Sequence, residues 1–258
     1  MEEGYTKGIS IPVHALISLT AVLVMLVCAS ARGGNWVGPE IIETDPKTNR
    51  ILTQHEPRVS FYQQGKAIAL FGWNRFDLNE DIGHLYGRVF GGSRWSEAER
   101  IDGHTGIIWS SQVASNSIGN VIAVFEQDGP GAGHRIYATV WNRVAIGGPS
   151  IIDAGTGHES YDPQIAVDNR GNAISVFSQS DGDYGRIYAN RWNGSKWEGA
   201  EIIDASTGYG AGYGPEIAFD SDGNAIAVFG QVDRPISEGG VCGYMRTTGT
   251  DQSGRAQR

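Results

Sequence analysis

The sequence predicts an all-β chain, a β-propeller-like array of about four four-stranded antiparallel blades. Two observations predict it. A segment recurs at a period of about 52 residues, and helical periodicity is absent after residue 31. The four copies begin at Glu56, Ser110, Asp162 and Gly214. Self-similarity at such a period is typical of folds in which each repeat is one supersecondary unit. The fourth copy lacks the Trp position and the strand that follow in the other copies, which leaves a truncated array, half of an assembly and an open array as alternatives.

Three sets of residues keep the same period. The turn glycines lie 54, 52 and 52 residues apart, at Gly65, Gly119, Gly171 and Gly223. The tyrosines of the next strand lie 51 residues apart, at Tyr86, Tyr137 and Tyr188. Tryptophans recur at Trp36, Trp95 and Trp197, and Ile146 stands in the remaining place. Agreement of three independent sets fixes the length of the repeat.

The third copy illustrates one blade. Its four strands are predicted, in order, at 149–153, 163–168, 172–179 and 186–193, with a tight turn at 168–172. The strand 172–179 is apolar at nearly every position, which predicts a sheet covered on both faces. A repeated four-stranded sheet of this kind is a propeller blade. We therefore expect Trp95 and Trp197 to be buried between strands or blades.

The hairpin turn of the third copy resembles the Asp-box, in which a Ser or Thr, an Asp, a Gly and an aromatic residue fold a blade hairpin. Asp168, Gly171 and Phe177 carry this resemblance, and Asp220 repeats the acid. Asn116 and Gln63 stand at the acid position in the other copies. The copies are thus similar to blades of exported propellers in the broad sialidase-like group, and this resemblance implies the fold.

The N-terminal segment predicts export. It is apolar from Ile9 to Ala29, and Ala29 and Ala31 give the small-x-small pattern of a signal-peptidase site. We expect residues 1–31 to be a signal peptide and the product to be periplasmic or secreted. The alternative is a single-span membrane anchor, since the apolar stretch is long enough to cross a bilayer. Residues 32–245 form the predicted repeat domain, and 246–258 a disordered tail.

The net charge limits the classes of partner, and the cysteine content limits the disulfides that the chain can form. The net charge is −9, without the clustered Lys and Arg that binding of nucleic acid or anionic lipid requires. Contact with the membrane is expected through the N-terminal segment alone, and only if that segment is not cleaved. If Cys28 leaves with the signal peptide, Cys242 has no partner for an internal disulfide.

No catalytic constellation is predicted. Sialidase chemistry needs a cluster of arginines, and the arginines here fall at blade-strand or turn positions: Arg88, Arg135, Arg186 and Arg191. Paired carboxylates for glycoside hydrolysis are not found among acids that mostly fall in turns. Glu201 with Asp204 is interpreted as two solvated strand positions.

No metal site or cofactor is predicted either. The histidines His104, His134 and His158 fall in loops of different copies, without the short spacing of zinc ligands, and are interpreted as solvated. The DSDGN segment at 220–224 is interpreted as a plain turn, because it lacks the downstream Glu of a calcium loop.

A recurring polar position has two interpretations. Gln127, Gln179 and Gln231 each follow a predicted buried Phe by two residues, and Trp73 takes this place in the first copy. Acids follow at Asp128, Asp181 and Asp233. In one interpretation each Gln bonds backbone groups between blades, as buried polar groups must. In the other, these seven residues form equivalent small ligand sites, one in each blade.

The first hypothesis for function is a non-catalytic exported repeat propeller that acts as a binding or scaffold module. Its partner would be a carbohydrate or another exported protein. One alternative is a glycan-binding lectin with blade-repeated sites, and another is a fragment of a sialidase-like glycoside hydrolase.

Overall fold

The computed structural model describes residues 25–26, 40–41, 53–54, 57–63, 65–75, 82–129, 133–142, 147–205, 211–232 and 242–249. The chain divides into two compact units, Met1–Ile51 and Leu52–Arg258. In the first unit, β1 (Met25–Leu26) pairs antiparallel with β2 (Glu40–Ile41). The other residues of the predicted signal segment lie outside the described residues, and so does Trp36. Within the described part, no helix is long and apolar enough to cross a membrane.

The strands of the second unit fall into four blades. The first blade contains β3 (Thr53–Gln54), β4 (Arg58–Phe61), β5 (Ala67–Arg75), β6 (Ile82–Phe90) and β7 (Glu99–Arg100). The second contains β8 (Ile108–Ser115), β9 (Asn120–Asp128), β10 (His134–Asn142) and β11 (Ser150–Ile151). The third contains β12 (Ser160–Val167), β13 (Ala173–Ser180), β14 (Gly185–Trp192) and β15 (Trp197–Ile202). The fourth contains β16 (Ala211–Phe219), β17 (Ala225–Val232) and β18 (Cys242–Gly249).

Each blade is an antiparallel sheet whose strands pair in chain order. In the first blade both β3 and β4 pair with β5, so they form one interrupted strand. The strands β4, β8, β12 and β16 lie next to one another in this order and are the inner strands of successive blades. The predicted all-β array of antiparallel blades is confirmed, with three described strands in the fourth blade.

The predicted start of the third blade is wrong by one strand. The segment predicted at 149–153 as its first strand contains β11, which pairs with β10 through Tyr137 and Ile151. It therefore closes the second blade, and the third begins at β12. A period fixes the length of a repeat, but it does not fix where one sheet ends and the next begins.

Both faces of the middle strands are covered, as the apolar run predicts. In β9, Phe125 packs with Leu70 of the first blade in one buried cluster. The alternate residues Ile122 and Val124 pack with Phe177 of the third blade in another. Successive side chains of a strand point to opposite faces, so β9 supplies the core on both of its sides.

The recurring tryptophans are half-buried, which corrects the expectation of full burial. The Trp95 ring lies 5.3 Å from Phe90, and the Trp197 ring lies 5.7 Å from Trp192. Trp197 opens the outermost strand of its blade, where fewer neighbours cover the ring. The aromatic residues that are wholly buried are Phe71, Phe125 and Phe177.

The hairpin turns follow the predicted chemistry. Gly171 has φ +94°, and the Asp168 carboxylate accepts hydrogen bonds from the backbone N–H of Arg170 and Asn172 at 2.9 and 2.8 Å. Asp220 closes its turn in the same way. Such a turn needs a side-chain acceptor at its first residue and a glycine in the left-handed region.

The C-terminal strand extends beyond the predicted domain end at residue 245. In β18, Arg246 pairs with Val228, and the strand continues to Gly249; residues 250–258 lie outside the described part. Met245, rather than Tyr244, pairs with Phe229 and so takes the place of the third-strand tyrosine. Tyr244 is 92% exposed.

Candidate functional site

The glutamines predicted at the recurring polar position are buried. Gln127 is 0% exposed, and its amide donates to the carbonyl oxygens of His104 and Gly106, each at 3.1 Å. It also donates to the Asp102 carboxylate at 3.2 Å. Through these hydrogen bonds, Gln127 holds the loop that leads from β7 of the first blade to β8 of the second.

The same fastening recurs in the next two blades. Gln179, also 0% exposed, donates to the carbonyl of His158 at 3.2 Å and accepts from the N–H of Ala154 at 2.8 Å. Gln231 donates to the carbonyl of Ala205. These contacts favour the interpretation in which each Gln bonds backbone groups between blades, because side chains without exposed surface do not reach a ligand.

The other residues proposed for blade-repeated sites are dispersed. Trp73 packs against Tyr86 at 5.0 Å in the first blade. Asp181 closes an exposed turn in the third blade, where the N–H groups of Tyr184 and Asp183 lower the pKa of its carboxyl group. Asp233 lies outside the described residues. Asp128 belongs to a different cluster, at the junction of the second and third blades.

One acid that was expected to be solvated forms a buried ion pair instead. The Asp204 side chain is 0% exposed and lies 2.6 Å from the Arg186 guanidinium, so the expectation that it is solvated is wrong. Its neighbour Glu201 is exposed, as expected, and lies 3.2 Å from Arg191. Asp204 ends the IID segment at the close of the third blade, where it also accepts from the N–H of Ile187 at 2.8 Å.

A polar and aromatic cluster occupies the junction of the second and third blades. We call it the rim cluster; it comprises Trp109, Glu126, Asp128, His134, Glu159 and Tyr161. The starts of β8, β10 and β12 and the end of β9 supply most of these side chains. Glu126 extends the face of Ile122 and Val124 toward the third blade, because alternate residues of β9 share a face.

Glu126 holds the rim cluster together. It is 4% exposed, and one carboxylate oxygen accepts from the Ser110 hydroxyl and from the N–H of Asp162, both at 3.1 Å. The other oxygen lies 2.6 Å from His134 Nδ1. Burial raises the pKa of Glu126, and the hydrogen bonds from Asp162 and His134 offset only part of this effect.

A strained residue of the third blade contributes one of these bonds. Asp162 has φ +52°, and the register of β12 shifts between Tyr161 and Gln164. Positive φ is uncommon for residues other than glycine and costs about 1–3 kcal/mol. The bulge accompanies the approach of the Asp162 N–H to Glu126, so the two blades are joined at this point.

Two aromatic rings flank His134. The Trp109 indole lies 4.7 Å from the imidazole at an interplanar angle of 16°, and Tyr161 meets its edge at 5.1 Å. The indole Nε1 donates to Asp128 Oδ1 at 2.7 Å. Trp109 is nevertheless 45% exposed. His134 lies in β10 and is half-buried, which corrects its interpretation as a solvated loop residue.

The remaining loop histidines differ from each other. His158 is exposed, as expected. His104 is half-buried, with Nε2 2.8 Å from the carbonyl oxygen of Asp128 and its ring 5.0 Å from Tyr137. Among the described residues, no group of three or more His, Cys, Asp and Glu side chains could hold a metal ion.

At the third-blade edge of the rim cluster, the Glu159 carboxylate lies close to the backbone of Gly133. The Tyr161 hydroxyl donates to Glu159, and burial together with this bond raises the pKa of Tyr161 to about 12. Gly133 has φ +63°, and a Cβ at this position would lie 2.4 Å from the Glu159 carboxylate. Position 133 therefore favours glycine for its backbone conformation, and a larger residue there would displace the exposed Glu159 side chain.

One sequence signal distinguishes the rim cluster from the rest of the repeat. The residue after the buried Phe is small in three copies, as Gly72, Ser178 and Gly230, and is Glu126 in the remaining one. A buried acid at one copy of an otherwise small position is a departure that repeat duplication does not produce. Glu126 does not recur, so the period gave no reason to select it. Trp109 and Tyr161 lie 52 residues apart, at equivalent places of their copies, but neither was predicted as a site residue.

A hollow between these blades lies away from the rim cluster. A cavity of about 630 Å³ opens near the starts of β9 and β13, at the other end of the sheets, and Trp141 and Trp192 contribute to its lining. The rim cluster is a surface platform rather than a cavity. Its assignment as the candidate site therefore depends on side-chain chemistry and not on volume.

Comparison with known proteins shows the fold. No family model and no curated protein matches the chain. A protein of unknown function from Dyadobacter fermentans is similar in structure, with a TM-score of 0.52 and 10% identity over 76% of this chain and 61% of that one. An α-L-arabinofuranosidase from Lactobacillus brevis gives a TM-score of 0.41 and 15% identity, covering 69% and 65%. An α-L-arabinofuranosidase from Podospora anserina, solved with cellotriose, gives 0.44 and 10%, covering 82% and 69%.

The chain spans 61–65% of the length of the first two of these structures. At 10% identity, the likeness to the Dyadobacter protein shows a shared fold.

Proposed function

We propose that this propeller is a non-catalytic binding module for neutral carbohydrate, with its site at the rim cluster. The observation that carries the proposal is the Trp109 indole, which is 45% exposed yet held by His134 on one face and by Asp128 at its N–H. An exposed aromatic ring in a fixed orientation offers binding area at little further cost in conformational entropy. The apolar face of a sugar ring fits such a platform.

The polar groups around the platform select for uncharged sugars. Asp128 is half-buried and Glu159 is exposed, and both are acids that accept hydrogen bonds when ionised. Sugar hydroxyl groups are donors that match them. Uronic acids and sulfated sugars would meet like charge, which costs binding free energy. The expected ligand is therefore an oligosaccharide of neutral hexoses or pentoses.

Glu126 supports binding rather than hydrolysis. A raised pKa is the property of a general acid, and it favours a second candidate function, that of a glycoside hydrolase. A general acid must also reach the glycosidic oxygen within hydrogen-bonding distance. Glu126 is 4% exposed, and both of its oxygens are engaged by Ser110, Asp162 and His134. These contacts support a role in holding the platform.

The experiment compares wild-type protein with Trp109→Ala on an array of neutral and acidic glycans. Trp95→Ala is the matched control, because Trp95 is a half-buried tryptophan of the first blade. We expect neutral glycans to bind wild type and Trp95→Ala, and binding by Trp109→Ala to fall about tenfold or more. Equal binding by all three proteins, or no binding by wild type, would contradict the proposal.

A second assay separates binding from hydrolysis. Neutral oligosaccharides that bind are incubated with wild type and with Glu126→Gln, and product is followed by chromatography. We expect no product from either protein. Product that forms with wild type and disappears with Glu126→Gln would establish the hydrolase instead.

A further inference from the structure

One face of the fourth blade is apolar and uncovered. Ile226 and Val228 in β17 are 44% and 41% exposed. The equivalent residues of β9 are Ile122 and Val124, and both are 0% exposed because the third blade packs on them. The face that is buried between the second and third blades thus has an exposed counterpart in the fourth blade.

Alternation along β17 fixes which face this is. Ala225, Ala227 and Phe229 are 3%, 4% and 2% exposed. Ala227 packs in a cluster with Val176, and Phe229 packs with Ile187, so these residues face the third blade. Ile226 and Val228 lie between them in sequence and therefore project from the opposite face.

The residues beside Ile226 and Val228 give this face a charge pattern. Across the three strands, Val228 pairs with Glu216 in β16 and with Arg246 in β18, and all three are exposed. An acid therefore flanks the apolar centre on one side and a base flanks it on the other. Tyr244, beside Gly230, adds an exposed ring to the same face.

We propose that this face binds the same face of a second copy of the chain, so that two fourth blades pack sheet to sheet. The two-fold axis lies parallel to the strands. Such an axis exchanges the left and right edges of the sheet, so Glu216 lies opposite Arg246 of the second copy, and Arg246 opposite Glu216. An axis across the strands would place Glu216 against Glu216. The charge pattern therefore selects both the partner and the orientation.

The chemistry of the face fits a self-interface. A two-fold interface uses one patch twice and must complement itself. Ile226, Val228 and Tyr244 provide the apolar centre that interface cores require, and the charged pair forms the rim. This face is separate from the proposed carbohydrate site, because none of these residues belongs to the rim cluster.

The test measures the oligomeric state of the full chain by sedimentation velocity over a range of protein concentrations. The variants are Glu216→Arg, Arg246→Glu and the double variant that carries both changes. Glu99→Arg is the control, because Glu99 is an exposed strand residue of the first blade. Circular dichroism and thermal melts establish that each variant is folded.

We expect a wild-type dimer, weakened about tenfold or more by each single reversal and restored by the double reversal, because the double variant recreates opposite charges across the axis. Glu99→Arg should dimerise as wild type does. A wild-type monomer at every concentration would overturn the proposal, as would single reversals without effect. A double variant weaker than either single variant would also overturn it. Arg246→Glu provides an independent test if Glu216→Arg does not fold.

Discussion

Arg135 and Asp153 form a two-point ion pair within the second blade, with Nε–Oδ2 and Nη2–Oδ1 distances of 2.6 and 2.8 Å. The Asp153 side chain has no exposed surface. Fifty-one residues later, Arg186 and Asp204 repeat the pair. Each acid follows the outer strand of its blade and pairs with an arginine near the start of the third strand. These pairs are a structural feature of the repeat, since they recur at its period. Removal of one partner would leave a buried charge unpaired, which is strongly destabilising.

In the first blade, Asp102 takes the same place and predicts a pH dependence of stability. Burial acts to raise its pKa, but hydrogen bonds from His84, Arg100 and Gln127 outweigh burial, so the pKa of Asp102 is lowered. A lowered folded-state pKa gives stability that is present above the unfolded value, near pH 4, and is lost as pH falls further. We expect the free energy of unfolding to fall in this range.

Urea denaturation at a series of pH values measures the effect. In Asp102→Asn the free energy of unfolding should fall less steeply with decreasing pH below about pH 4 than it does in wild type. Asp183→Asn, a change of an exposed turn acid, is the control and should keep the wild-type slope. An unchanged slope in Asp102→Asn would show that this carboxyl group is not perturbed by folding.

The buried glutamines predict a stability effect without a ligand. Gln179→Ala leaves the His158 carbonyl and the Ala154 N–H without their partner, which costs about 1–3 kcal/mol. Gln112→Ala, on the inner strand β8, is a control where less than 1 kcal/mol is expected, because Gln112 is half-buried. Chemical denaturation compares the two. Equal losses would mean that Gln179 does not fasten its loop.

Two glycines separate backbone strain from packing. Gly171 and Gly194 have similar φ values, +94° and +90°. A Cβ at Gly171 would lie 2.2 Å from the Asn120 amide, whereas a Cβ at Gly194 would have no atom within 4 Å. Both changes to Ala carry the strain of positive φ, more than about 1 kcal/mol, and Gly171→Ala must in addition displace the half-buried Asn120 side chain. Thermal melts should place Gly171→Ala below Gly194→Ala, and the reverse order would contradict the packing of these turns.

The aromatic residues differ in burial, and this predicts an order of stabilities. Phe177 is 0% exposed and packs between the second and third blades, so Phe177→Ala should cost about 3–5 kcal/mol. Trp197 is half-buried, so Trp197→Ala should cost less, about 1–3 kcal/mol. Denaturant titrations measure both. A larger loss for Trp197→Ala would mean that the outer strand is more deeply covered than the structure shows.

The repeat made most of the fold predictable from the sequence. The period located the turn glycines and the apolar strands, because both are dictated locally by backbone conformation and by burial on two faces. It did not locate the blade boundary, since the strand at Ser150–Ile151 has the same composition whether it ends one sheet or begins the next. Only strand pairing decides that question.

The candidate site was less predictable for a related reason. In a repeat protein, the residues that recur are the first candidates for a site. Gln127 and Gln179 recur, but both are buried and hold loops through hydrogen bonds. Glu126 departs from the repeat, and its chemistry depends on contacts with residues of two blades. His134 reaches Glu126 from the neighbouring strand of the same blade, whereas Asp162 approaches Glu126 only when the second and third blades pack together.

Isothermal titration with a neutral oligosaccharide selected from the array tests the central claim most directly, because it gives the number of sites and their affinity together. A single rim cluster predicts about one site per chain, lost in Trp109→Ala and kept in Gln179→Ala. Oligogalacturonate, an acidic oligosaccharide, should bind more weakly than the neutral ligand. Several equivalent sites per chain, or a single site that survives Trp109→Ala, would contradict the account.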